Sequence, residues 1–110
     1  EARLYEVAPF AAASGGKLFH YRDGLNREID AVVELADGRW GAFEIKLGAN
    51  QIDAAADSLI SLKLDVEYGA RAVPPEVLVV ICGLSSFTYA RPDGAMMTPS
   101  PHWRFEFAFS

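Results

Sequence analysis

REIDAVVELADGRWGAFEIKL, residues 27–47, is the stretch whose reading decides the fold. Two strand-like runs flank Asp37-Gly38, a dipeptide that is a strong hairpin signal. In the first run Ile29, Ala31, Val33 and Leu35 alternate with Glu28, Asp30, Val32 and Glu34, so one face is expected to be apolar and the other wet or functional. The returning run sets Gly41, Phe43, Ile45 and Leu47 on one face and Trp40, Ala42, Glu44 and Lys46 on the other. Opposite charges on a strand that otherwise reads as buried need a reason.

The length of the connection supplies one. A plain two-residue turn at Asp37-Gly38 pairs Ala36 with Arg39 and Asp30 with Ile45, which mixes charged and apolar residues on both faces. A three-residue loop, Ala36-Asp37-Gly38, with Gly38 in the left-handed region, pairs Leu35 with Arg39, Asp30 with Glu44 and Glu28 with Lys46. All the apolar residues then share the other face, so burial selects the second register. It sets Asp30 beside Glu44, and adjacent carboxylates repel unless something positive compensates. A divalent cation, Mg²⁺ or Mn²⁺, suits such hard oxygen donors, with the backbone carbonyl of Ile45 as a further ligand. Lys46, on the same face, is placed to stabilise charge developing on phosphorus or to position or deprotonate an attacking water. That is phosphodiester hydrolysis in outline. The bland reading of Glu44 and Lys46 is a solvated strand face with an ordinary ion pair, and Asp30 weighs against it.

Outward from the hairpin, residues 1–13 read as a helix remnant interrupted by Pro9, broken by Gly15-Gly16 and followed by a strand, KLFHYRD. After the hairpin, Asn50 is placed to cap a helix from about Gln51 to Tyr68, with Ile52, Ala56, Leu59, Ile60 and Lys63 on one face and Gly69 at its end. EVLVVICG is continuously apolar, as a central strand covered on both sides must be, and its position after a helix predicts a crossover to a parallel strand. A second hairpin is expected around Asp93-Gly94, and WRFEFAF as a last edge strand. Trp40, Trp103, Phe105 and Phe107 are expected to pack a core or a subunit interface, and His20, between Phe19 and Tyr21, to be structural. The order of elements is that of a mixed α/β domain.

The 110 residues make one domain of soluble globular composition, and the net charge of −5 argues against a free-standing electrostatic binder of nucleic acid. The single Cys82 excludes an intrachain disulfide and reads as a core residue. No apolar run is long enough to cross a bilayer and no signal segment opens the chain, which makes the cytoplasm the expected location. A start at Glu1 rather than methionine suggests a piece of a larger protein.

Asp30 followed by Glu44-Ile45-Lys46, on adjacent strands before a helix, resembles the PD-(D/E)XK nuclease superfamily. More widely, LFHYRDGLNREIDAVVELADGRWGAFEIKLG (residues 18–48) with ARPDG (residues 90–94) resembles the nuclease-like C-terminal domain that follows the ATPase domain in a family of prokaryotic AAA-type ATPases. The resemblance implies a restriction-endonuclease-like core: a mixed sheet with an antiparallel meander, a crossover helix and a buried parallel strand. It implies Asp30, Glu44 and Lys46 as the catalytic set. It adds a glutamate from the preceding helix, for which Glu1 or Glu6 stands available, and a glutamine opening the following helix, here Gln51. Glu28 is a further candidate, opposite Lys46 and able to orient it. Arg22 is either a phosphate contact or the partner of Asp23 or Glu28. No Gly-rich loop ending in Gly-Lys-Ser/Thr is present, so ATP belongs to the ATPase domain and not to this chain. Two functions follow from these expectations. One is a metal-dependent nuclease accessory to an ATPase domain. The other is a catalytically silent nuclease fold that serves that ATPase as a binding or dimerisation module.

Overall fold

In the computed structural model, which describes residues 15–22, 28–68, 73–83 and 87–99, six strands form one sheet and a single long helix packs on it. The strands are β1 (Lys17–Arg22), β2 (Glu28–Glu34), β3 (Trp40–Lys46), β4 (Val77–Cys82), β5 (Tyr89–Ala90) and β6 (Met96–Thr98). A 3₁₀ turn over Ala49–Gln51 leads into helix α1 (Ile52–Tyr68). The sheet order is β1-β2-β3-β4-β6-β5, antiparallel from β1 to β3 and between β5 and β6, parallel from β3 to β4 and from β4 to β6. This is the mixed α/β architecture expected, with an antiparallel meander, a crossover helix and a buried parallel strand. The helix remnant over residues 1–13, Gly69, and the last strand with Trp103, Phe105 and Phe107 lie outside the described residues.

The β2–β3 hairpin has the three-residue loop. Leu35 N–H donates to Arg39 O at 2.7 Å, Gly38 N–H donates to Leu35 O at 3.0 Å, and Gly38 has φ +92°, a conformation that side chains with a Cβ adopt only at a cost. Asp37 closes the loop by accepting from Arg39 N–H at 3.0 Å and Arg39 Nε–H at 2.8 Å. The pairs Glu34 with Trp40, Val33 with Gly41, Val32 with Ala42 and Ala31 with Phe43 follow in the register that burial selects.

Both faces of the sheet are buried at its central strands β3 and β4, and here the expectation of one wet face fails. Val32, Trp40 and Ala42 pack with Leu78, Val80, Cys82 and Met97 in a cluster that includes α1, while Ala31, Val33, Leu35, Phe43, Ile45, Val79 and Ile81 form a second cluster. A strand in the middle of a sheet with parallel neighbours is covered on both sides, so polarity alternation fades wherever a crossover helix lies. The helix presents Ile52, Ala55, Ala56, Leu59 and Leu62; Ala55 and Leu62, rather than Lys63, complete its buried face. Cys82 is buried, as expected, and its Sγ–H donates to Leu47 O at 3.5 Å. The second hairpin turns at Gly94 (φ +98°), with Arg91 N–H on Ala95 O at 2.8 Å. Asp93 does more there than shape the turn. It holds Arg91 at 3.2 Å, and Arg91 reaches Asp53 in the first turn of α1 at 2.9 Å, so this hairpin is clasped to the helix.

Candidate functional site

The expected site lies where β2 and β3 part company. From the pair Phe19–Val32 to the pair Tyr21–Ile29, β1 advances two residues and β2 three, so β2 carries a bulge at Asp30-Ala31, opposite His20. Strict alternation had put Ile29 with Ala31. The extra residue instead turns Ile29 into the helix-side cluster while Ala31 stays in the other.

The bulge also ends the β2–β3 ladder. The Leu35 N–H on Arg39 O sets the phase of the ladder, in which every second pair is a hydrogen-bonded one, so the pair after Ala31–Phe43 would be Ile29–Ile45. Instead Ile45 N–H donates to Asp30 Oδ2 at 2.8 Å, and Asp30 N–H donates to Glu44 Oε1 at 3.3 Å. The Asp30 carboxylate thus takes the place of the ladder carbonyl at Ile45, and the Glu44 carboxylate receives the Asp30 N–H. In a strand the N–H and C=O of one residue point to the same side, so the Ile45 carbonyl is directed to the edge where Asp30 stands and the ladder has stopped.

Glu44 is only 4% exposed, beneath this edge, and Lys46 Nζ lies 3.3 Å from its Oε2. Burial, and next the Asp30 charge, push the Glu44 carboxyl above its ordinary value of 4.5, with Lys46 and the Asp30 N–H opposing. Asp30, Ile45, Lys46, Leu47 and Gln51 line an open depression of about 260 Å³ over it. The structure therefore brings together Asp30, Glu44, Ile45, Lys46 and Gln51.

Other expected members stand apart or act differently. Glu28 pairs with Arg22 at 2.7 Å, both well exposed, so neither orients Lys46; the partner of Lys46 is Glu44. Arg22 is therefore a salt-bridge residue of the sheet's edge. Gln51 serves the backbone: its Oε1 accepts from Gly48 N–H at 3.2 Å, which makes Gly48 and Gln51, rather than Asn50, the start of the helical segment. His20 is exposed on β1. Trp40 is half-buried against the helix-side core and donates Nε1–H to Val73 O at 2.6 Å. Glu1 and Glu6 lie outside the described residues. Sequence reasoning missed Leu47, which stands 65% exposed at the rim; an apolar residue after a charged strand end gives no periodic signal.

The family model "Domain of unknown function (DUF4143)" matches residues 6–103, nearly the whole chain. The chain belongs to the DUF4143 family. DUF4143 is a domain found at the C-terminus of AAA-type ATPases, which is the coarse part of the resemblance read from the sequence. No curated protein and no solved structure matches this DUF4143 chain. No helix among its described residues is long and apolar enough to cross a membrane.

The donor set is compatible with a hard divalent cation. Among the described residues no group of three or more His, Cys, Asp or Glu side chains is placed for a metal, so the DUF4143 site offers a pair of carboxylates and a carbonyl. Mg²⁺ asks for no more than that, since it keeps several waters and binds through one or two carboxylates.

The raised Glu44 carboxyl has a consequence for stability. The folded chain holds this proton more tightly than the unfolded chain, so the Glu44 contribution falls as pH rises from 4.5 through the raised folded value. Glu44→Gln removes that titration. Its stability relative to the unmodified chain is expected to improve as pH rises above 4.5 and to level off once the raised folded value is passed, measured by urea unfolding. A difference that is flat with pH, or that worsens upward, contradicts the assignment.

Proposed function

We propose that this domain is a metal-dependent phosphodiesterase of the nuclease type, working beside an AAA-type ATPase domain of the same polypeptide in the cytoplasm. The observation that carries the reading is the arrangement at the β2 bulge. Asp30 and Lys46 line an open depression and the buried Glu44 joins them by its contacts with the Asp30 N–H and the Lys46 ammonium, where the sheet ladder is interrupted. A fold does not give up ladder hydrogen bonds and bury a carboxylate for stability, because each carries a cost. Sites that retain such features against stability are commonly functional.

Asp30, Glu44 and the Ile45 carbonyl would hold Mg²⁺ or Mn²⁺, which would supply Lewis-acid polarisation of a phosphoryl oxygen and a more acidic bound water. The chain's own residues do the rest. Lys46, mostly but not wholly buried, presents its ammonium at the depression and offsets negative charge gathering on the phosphoryl group. Ile45 N–H fixes the Asp30 carboxylate, and Asp30 N–H fixes that of Glu44, so both are oriented before substrate arrives. Gln51 keeps the Leu47–Gly48 connection folded against the helix start.

A second reading has its own observation. The chain carries a net charge of −5, and at this end of the sheet Arg22 and Lys46 are already paired with Glu28 and Glu44. A silent fold used for binding or for self-association, regulating or recruiting the ATPase, fits that balance. Titration with Mg²⁺ and Mn²⁺ separates the two. The nuclease reading expects the melting temperature to rise with metal, the rise to vanish in Glu44→Ala, and single- or double-stranded DNA or RNA to be cleaved. The module reading expects neither a metal response nor cleavage.

A further inference from the structure

The depression is small and its wall has one unusual member. At about 260 Å³ it falls below the range of roughly 300–1,000 Å³ typical of drug-sized ligand pockets. The concavity itself has room for one small unit next to a phosphate. Leu47 follows Lys46 directly and exposes 65% of its surface beside Asp30 and Gln51. Its carbonyl is tied down by the Cys82 thiol at 3.5 Å, and the next residue, Gly48, by Gln51 at 3.2 Å. The backbone that carries this apolar side chain is thus held at both positions. Among the described residues at this end of the sheet, Lys46 and Arg22 each have a carboxylate partner, which leaves their charges less available to track a phosphate backbone. Affinity for a long duplex grows with the number of phosphates neutralised, and these two paired cations offer little toward it.

Resting on the phosphodiesterase reading, we propose that Leu47 is a specificity-determining residue, against which one unpaired nucleobase packs while the adjoining phosphate lies over Asp30, Glu44 and Lys46. The substrate class is then a single-stranded nucleic acid or a short oligonucleotide end. A paired base cannot take this place without leaving its stack, and unstacking disfavours duplex. An apolar contact suits the site because every base has a flat apolar face, so recognition is by exposure of the base and not by its identity.

The test uses the full chain with two readouts. Binding of a short single-stranded oligonucleotide and of its duplex is followed in Ca²⁺ by methyl NMR. Hydrolysis in Mn²⁺ is measured for thymidine 5′-p-nitrophenyl phosphate and for the base-free methyl p-nitrophenyl phosphate. The single strand is expected to shift the Leu47 methyl signals and to bind more tightly than the duplex. Leu47→Ser is expected to raise KM for the base-bearing diester about 10-fold and to leave the base-free diester unchanged. Equal effects of Leu47→Ser on both diesters, or tighter binding of duplex with unmoved Leu47 methyls, overturn the Leu47 assignment and leave the phosphodiesterase reading standing. Absence of hydrolysis of every diester, with no binding of either oligonucleotide, overturns both.

Discussion

Lys46→Ala is expected to lower phosphodiester hydrolysis by about 10³-fold and to destabilise the domain most at alkaline pH. The activity figure is the size of effect, about 10²–10³-fold, seen when one preorganised group facing developing charge is removed. The stability effect arises in the same contact. Lys46 Nζ stands 3.3 Å from the Oε2 of a carboxylate that is nearly inaccessible to water. Without it Glu44 keeps, among the described residues, the Asp30 N–H as its favourable partner and still feels the Asp30 charge. Removing one member of a fully buried pair costs about 3–5 kcal/mol, and because Lys46 is partly exposed about 2 kcal/mol is expected at pH 8. Protonation of Glu44 relieves the loss, so the deficit should shrink toward pH 4, below the ordinary carboxyl value of 4.5. Urea unfolding of the two chains at pH 4, 6 and 8 measures it. A deficit independent of pH would mean that Lys46 contributes packing alone, and undiminished hydrolysis would remove Lys46 from the chemistry.

Leu59→Ala should give the largest loss of stability among single changes away from the site, about 3 kcal/mol. Leu59 is wholly inaccessible in the middle of α1, in one cluster with Ile29, Ala42, Leu78, Val80 and Met97. Truncation leaves a void between a helix and a sheet that are each held by other contacts, so collapse around it is incomplete. A domain of this size has about 5–15 kcal/mol in all, which makes the change a large part of the total. The urea midpoint should fall with little change in slope. Metal-induced stabilisation should survive, because Leu59 is not among the residues that line the depression. A drop below about 1 kcal/mol would show that the helix can settle onto the sheet.

The two sets of expectations meet at the hairpin. Placing Asp30 next to Glu44 followed from loop length and burial, and the observed Leu35–Arg39 closure and Gly38 φ agree with it. The manner of the meeting did not follow. Alternation implied a wet face, whereas Val32, Trp40 and Ala42 lie under α1 and Glu44 is buried. A period-two pattern reports which residues differ in polarity, and a crossover helix that covers the second face erases that difference. Glu28 was expected across from Lys46, but with the ladder ended at Ala31–Phe43 that pair never forms, and each finds a nearer partner.

By itself the sequence determined the element order, the odd-length turn, the central parallel strand and the identity of the charged residues that converge. These rest on local chemistry: a glycine that accepts positive φ, unbroken apolar runs, and a register that burial allows in only one form. The tertiary structure alone decided the bulge at Asp30-Ala31, the turn of Ile29 into the helix-side core and the clasp from Arg91 to Asp53. Each of these is an offset or an ion pair between different elements of the fold. No residue pattern announces them, because the energy that fixes them exists only when β1, β2, β3 and α1 are already in contact.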